Sequence, residues 1–173
     1  TGGTPGADIR LLDAWEVTRG HPDVIVAVID GGIHIDHPDL IDNMWEGIGY
    51  NFVSDTSLIF MTRHGTHVGG TIGAKNNNNT GVSGVAGGWG EQPGVKLMTC
   101  QVFEPVTMGE NVDAFHLAPV WAADQGAVIS QNSWGYTRPN VYAQIELDAI
   151  DYFNTHGGGK VARGGITISS AGN

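Results

Sequence analysis

The stretch Val24-Ile-Val-Ala-Val-Ile29 constrains the fold more than any other part of the chain. It is apolar at every position and mostly β-branched, and it is too short for a helix, so the strand it forms must be covered on both faces. That is the environment of a central strand in a parallel sheet with helices on either side. Three more runs share this character: Val95 to Val102, Ala127 to Gln131 and Ile166 to Ser170. Helical patterns fall between them. His64 to Ala74 is rich in small residues, and Val112 to Gln125 carries Phe115, Leu117, Val120 and Trp121. Pro139 to His156 sets Val141, Ile145, Ala149 and Tyr152 or Phe153 along one face. Pro139 suits the first turn of that helix, and Gly157-Gly-Gly159 ends it. Strands alternating with helices predict right-handed crossovers and a three-layer α/β/α fold around a mainly parallel sheet.

At 173 residues and 40% apolar content the chain can build one domain with a real core, though a modest one for a large α/β enzyme. The strands and helices read as a core that needs further sheet and helices to cover it, so the fold is expected to be incomplete in this chain. The formal net charge is −10, from 8 Lys+Arg against 18 Asp+Glu, which leaves no basic face for a phosphate backbone and argues against a nucleic-acid partner. No apolar run approaches the roughly 20 residues that span a bilayer, and no basic segment followed by an apolar one opens the chain. Cys100 is the single cysteine and can make no internal disulfide; its apolar surroundings predict buried strand packing. The 27 glycines fall in clusters, as they do where backbone turns tightly around a cleft.

In such sheets chemistry collects at the carboxyl ends of the strands. The first strand ends in Ile29-Asp30-Gly31-Gly32, which places a carboxylate where the backbone leaves the sheet. An aspartate there can also do no more than cap a turn. Arg63-His-Gly-Thr-His-Val-Gly-Gly70 then opens a slender helix with two histidines one turn apart. Two readings compete. In one, His64 is a general base oriented by Asp30, and His67 is a packed neighbour. In the other, His64 and His67 join His34 and His37 as zinc ligands. The stretch His34-Ile-Asp-His37 resembles half of the HxHxDH signature of metallo-β-lactamase-like hydrolases, but the first histidine of that signature would fall at Gly32.

Read with their surroundings, the two stretches favour the first reading. Residues 26 to 40, Val-Ala-Val-Ile-Asp-Gly-Gly-Ile-x-x-x-His-Pro-Asp-Leu, and residues 64 to 71, His-Gly-Thr-His-Val-Gly-Gly-Thr, resemble the aspartate and histidine boxes of the subtilisin-like serine proteases, in that family's order. Further matches follow in Asn79-Thr-Gly-Val-x-Gly-Val-Ala86, Val128-Ile-Ser-Gln-Asn-Ser-Trp-Gly135 and Ile166-Thr-Ile-Ser-Ser-Ala-Gly-Asn173. The resemblance covers essentially the whole chain and identifies residues 1–173 as the N-terminal portion of such a catalytic domain.

The resemblance implies a serine endopeptidase in which Asp30 holds and charges the imidazole of His64, and His64 takes the proton of a serine nucleophile. It makes Asn173 the side-chain donor to the oxyanion. It makes Ser133-Trp-Gly135 the stretch whose backbone pairs with an extended peptide substrate, with Trp134 standing where the family has leucine. Thr107-Met-Gly109 is the candidate for the opposite edge of the cleft. A structural calcium ion is implied at Asp39 and the Asn76 to Asn79 loop, through Asn77 or Asn78. No organic cofactor is implied. The family's Gly-Thr-Ser-Met-type box does not occur, and none of Ser54, Ser57, Ser83, Ser130, Ser133, Ser169 or Ser170 opens a small-residue helix behind Gly-Thr. The expectation is therefore a two-chain enzyme cut after Asn173, inactive as this chain alone, whose companion chain carries the serine and covers the apolar surface left here. The alternatives are a non-catalytic pseudoprotease that grips peptides and, remotely, a zinc hydrolase. By resemblance the protein is secreted or held at the cell surface, after removal of a leader and an inhibitory pro-segment.

Overall fold

The apolar run at Val24 becomes β1 (Ile25–Asp30), and its neighbours show why it must be apolar at every position. In the computed structural model, which describes residues 4, 6–104, 114–136, 138 and 140–172, β1 is the middle strand of a five-stranded sheet. The others are β2 (Met44–Asn51), β3 (Lys96–Gln101), β4 (Ile129–Asn132) and β5 (Ile166–Ser169), in the order β2-β3-β1-β4-β5. Every pairing is parallel. The helices among the described residues are α1 (Leu11–Trp15), α2 (Arg63–Gly73), α3 (Leu117–Asp124) and α4 (Gln144–His156).

Alternation along β1 feeds two cores. Ala27 and Ile29 join Met98 and Cys100 of β3 against Phe115, Ala118, Ala122 and Phe153, which belong to the α3–α4 side. Val26 and Val28 join Leu97, Ile33 and Leu40 on the opposite face, where Val68 and Ile72 of α2 pack. The result is the expected three-layer α/β/α arrangement. Each such side chain removed from water contributes roughly 1.5–3 kcal/mol, so the central strand anchors both halves of the core. Cys100 is fully buried, as its sequence context predicts, and burial pushes its thiol well above the ordinary range.

Four local features depart from the sequence reading. β2 was not anticipated: Met-Trp-Glu-Gly-Ile-Gly-Tyr-Asn lacks a β-branched run, and its pairing with β3 shifts register between Met44 and Gly49. α3 begins at Leu117, and Val112, where the helix was expected to start, lies outside the described residues. α4 begins at Gln144 because Ala143 is still extended at φ −101°, ψ 133°; Pro139, the expected first-turn residue, also lies outside the described residues. β5 occupies the sheet edge, with Ile166 59% and Ile168 45% exposed, so an apolar sequence sits in a half-covered strand.

Candidate active site

Asp30 is the last residue of β1. Its register with Gln101 and the Val102 N–H bond to its carbonyl, 2.8 Å, hold its backbone in the sheet. Its side chain is only 4% exposed. The Gly31 N–H donates to Oδ1 at 2.6 Å, and Nδ1 of His64 stands 2.9 Å from both Oδ1 and Oδ2. An ionised carboxylate only accepts, so Nδ1 carries the ring proton and Nε2 keeps its lone pair. The imidazole is otherwise open, with 64% of the side chain exposed. The arrangement holds the ring in one tautomer against a buried carboxylate and leaves the rest of it open to solvent, so that it can act as a base.

The first turn of α2 delivers His64 to that place. Thr62 caps the helix: it is extended, and its Oγ1 accepts from the Gly65 N–H at 3.0 Å. The Thr62 N–H in turn donates to the Gly32 carbonyl at 3.0 Å. Gly32 has φ +90°, and a Cβ at Gly65 would lie 2.5 Å from the Gly32 carbonyl oxygen. The two glycines therefore let the helix rest directly on the turn that follows β1, with His64 over Asp30. Gln101, fully buried at the end of β3, accepts from the Phe60 N–H at 2.8 Å and donates to the Phe103 carbonyl at 3.0 Å. It fixes the approach to the cap. Thr62 and Gln101 were not picked out in the sequence. A threonine just before a small-residue helix and a polar residue closing an apolar strand are the signals that could have found them.

The remaining histidines lie apart from this pair. His67, expected to pack inside, is exposed; with His34, His37, Leu40, Met61 and Arg63 it lines a cavity of about 690 Å³ beside α2. His34 and His37 meet edge to face with ring centroids 5.6 Å apart. Among the described residues no group of three or more His, Cys, Asp or Glu side chains is disposed to hold a metal ion.

Asp39 and the asparagine loop do converge. Asp39 is 2% exposed; Asn78 Nδ2 donates to its Oδ1 at 2.8 Å and the Val82 N–H to its Oδ2 at 2.7 Å. Of the two amides considered, it is Asn78 that meets the carboxylate. Its own Oδ1 accepts from the Thr80 N–H at 3.1 Å. A hard cation fits this pair of side chains only when the Asn78 amide is turned so that oxygen, not nitrogen, faces Asp39.

Ser133, Trp134 and Gly135 continue past the end of β4. Ser133 Oγ accepts from Gln131 Nε2 at 3.0 Å, and the Trp134 carbonyl accepts from Ser170 Oγ at 3.1 Å. Asn173 and Thr107 to Gly109 lie outside the described residues.

A model of the subtilase family matches residues 21–173. The chain belongs to the subtilase family. Among its subtilase relatives, fervidolysin of Fervidobacterium pennivorans is 34% identical over 166 residues, covering 91% of this chain and 22% of fervidolysin. The halolysin-like extracellular serine protease Nep of Natrialba magadii is 33% identical over 138 residues, covering 73% of this chain and 23% of Nep. The chain thus spans less than a quarter of the length of these two curated relatives. A solved protease of Pseudoalteromonas arctica superposes with a TM-score of 0.71 over 94% of this chain and 53% of that one, at 23% identity. The subtilase fold and the three-layer sheet described above therefore agree.

Proposed function

We propose that this subtilase chain supplies the aspartate, the histidine and the oxyanion asparagine of a serine endopeptidase. Asp30 holds His64 in one tautomer and stabilises the imidazolium; His64 Nε2 takes the proton from a serine hydroxyl as it attacks the scissile carbonyl, then returns it to the leaving amine. The observation that carries this reading is the contact of His64 Nδ1 with both oxygens of buried Asp30, 2.9 Å each, on a ring whose other edge is open. The peptide lies extended along Ser133 to Gly135, and the Asn173 amide donates to the tetrahedral oxyanion.

On this reading the nucleophile is a serine outside residues 1–173, supplied by further sequence of the same protein or by a companion polypeptide. Among the described residues no serine hydroxyl is hydrogen-bonded to His64, whose ring contacts run to Asp30. The half-exposed Ile166 and Ile168 of β5 offer an apolar edge on which such a polypeptide can dock. Calcium, if bound, would be held by Asp39 with the Asn78 amide turned, where its charge would replace the N–H donors that close the loop. Secretion is supported by the name of Nep, an extracellular protease.

A fluorophosphonate probe applied to the complete protein should label a serine outside residues 1–173, and His64→Ala should abolish that labelling. Labelling that survives His64→Ala would show that His64 is not the base. Wild-type protein that binds an extended peptide without any labelling would favour the non-catalytic, peptide-gripping reading.

A further inference from the structure

We propose that Trp134 is a positioning residue for Asp30, tying the strand that delivers the catalytic carboxylate to the segment that receives the peptide. This rests on the reading of Asp30 and His64 as half of a serine-protease site. The indole Nε1–H of Trp134 donates to the carbonyl of Ile29 at 3.1 Å, across 105 positions of sequence. Ile29 is the residue immediately before Asp30, and the peptide group that begins at its carbonyl ends at the Asp30 nitrogen. A planar peptide transmits the placement of that oxygen to the Asp30 Cα. The ring cannot drift, because its face stacks on Phe115 with centroids 4.1 Å apart and planes at 24°, and Phe103 closes against both rings at 6.3 and 5.0 Å. The main chain of Trp134 is held as well, by the Ser170 hydroxyl on its carbonyl at 3.1 Å, and the Ser170 N–H holds the Asn132 carbonyl just before it at 2.9 Å.

A leucine at this position, as the family pattern has, is smaller and has no donor. The indole therefore adds one directional bond between Ser133–Gly135 and the end of β1. Its function is to keep both oxygens of Asp30 against His64 Nδ1 while a substrate pulls on the neighbouring backbone. Loss of one such bond is worth about a five-fold change in rate.

The test uses the complete protease with the wild-type residue, Trp134→Phe, and a third protein in which Trp134 is replaced by benzothienylalanine, which keeps the ring shape and exchanges the N–H for sulfur. Coupling predicts that both replacements lower kcat about five-fold with KM unchanged, and shift the downfield proton resonance of His64 Nδ1–H. Packing alone predicts that the isostere matches the wild type in both readouts, and that outcome overturns the proposal. The resonance does not need turnover. If it moves in a protein that shows no hydrolysis even as wild type, the protease reading falls while the Trp134–Asp30 coupling stands; if it does not move, the coupling falls whatever the rate.

Discussion

At the scale of single residues, the Asp30–His64 pair derives its strength from unequal surroundings. The carboxylate is buried and the imidazole is open, so the charge that orients the ring is shielded from water while the rest of the ring is not. Asp30→Asn keeps the shape but offers a donor, and it favours the tautomer whose proton sits on Nε2. In the complete enzyme it should lower kcat on the order of 10⁴-fold, the size found for a triad aspartate on an unrelated fold, with little change in thermal midpoint. Pre-steady-state kinetics would check it. A loss below ten-fold would mean that Asp30 does not set the tautomer.

Among the elements, α2 carries His64 on a body whose buried residues are all glycine. Its four buried residues are Gly65, Gly69, Gly70 and Gly73, so it lies close against the sheet and has little side-chain packing to hold its ends. The cap has to do more there than on a helix with large buried residues. Thr62→Ala should therefore cost about 1 kcal/mol, a fall of about 2–4 °C in midpoint for a domain of this size. It should also raise hydrogen exchange at Gly65, since the N–H that Thr62 Oγ1 accepts would lose its partner. Thr62→Ser keeps the oxygen and should restore both. Equal midpoints for the alanine and wild-type proteins in a melting experiment would show that the cap is redundant with the Thr62 N–H bond to Gly32.

Across the whole molecule, the Asp39–Asn78 contact ties the segment after β1 to the loop after α2, following the same two elements that carry Asp30 and His64. If Ca²⁺ occupies it in the complete protein, stability follows mass action, gaining about 2.7 kcal/mol at a hundred times the dissociation constant. Chelation should then lower the melting midpoint by several degrees, and Asp39→Asn should both lower it and remove the effect of the chelator. Identical melting curves with and without chelator in the unmutated protein would rule the metal out at this place. The half-exposed edge of β5 belongs to this scale too, because an apolar strand at an open sheet edge is a surface that another polypeptide can cover.

Much of this was legible in the chain itself. Short runs that begin or centre on apolar residues pointed to β1, β3, β4 and β5 as strands of a layered sheet, and the motifs around Asp30 and His64 singled out the pair. What local pattern could not reach depended on approach in space. β2 hides behind glycines and a glutamate, and its strand character exists only because β3 supplies its hydrogen-bond partners. Polar side chains at Thr62 and Gln101 look ordinary until the Gly65 N–H reaches the first, and the Phe60 N–H and Phe103 carbonyl reach the second. The choice between Asn77 and Asn78 at Asp39, and the bond from Trp134 to the residue before Asp30, are contacts across 39 and 105 positions. Local sequence determines which backbone conformations and which faces are accessible, and here that sufficed for the layers and for the Asp30–His64 pair. Which donor meets which acceptor is set by the packing of distant segments, and only the tertiary structure decided that.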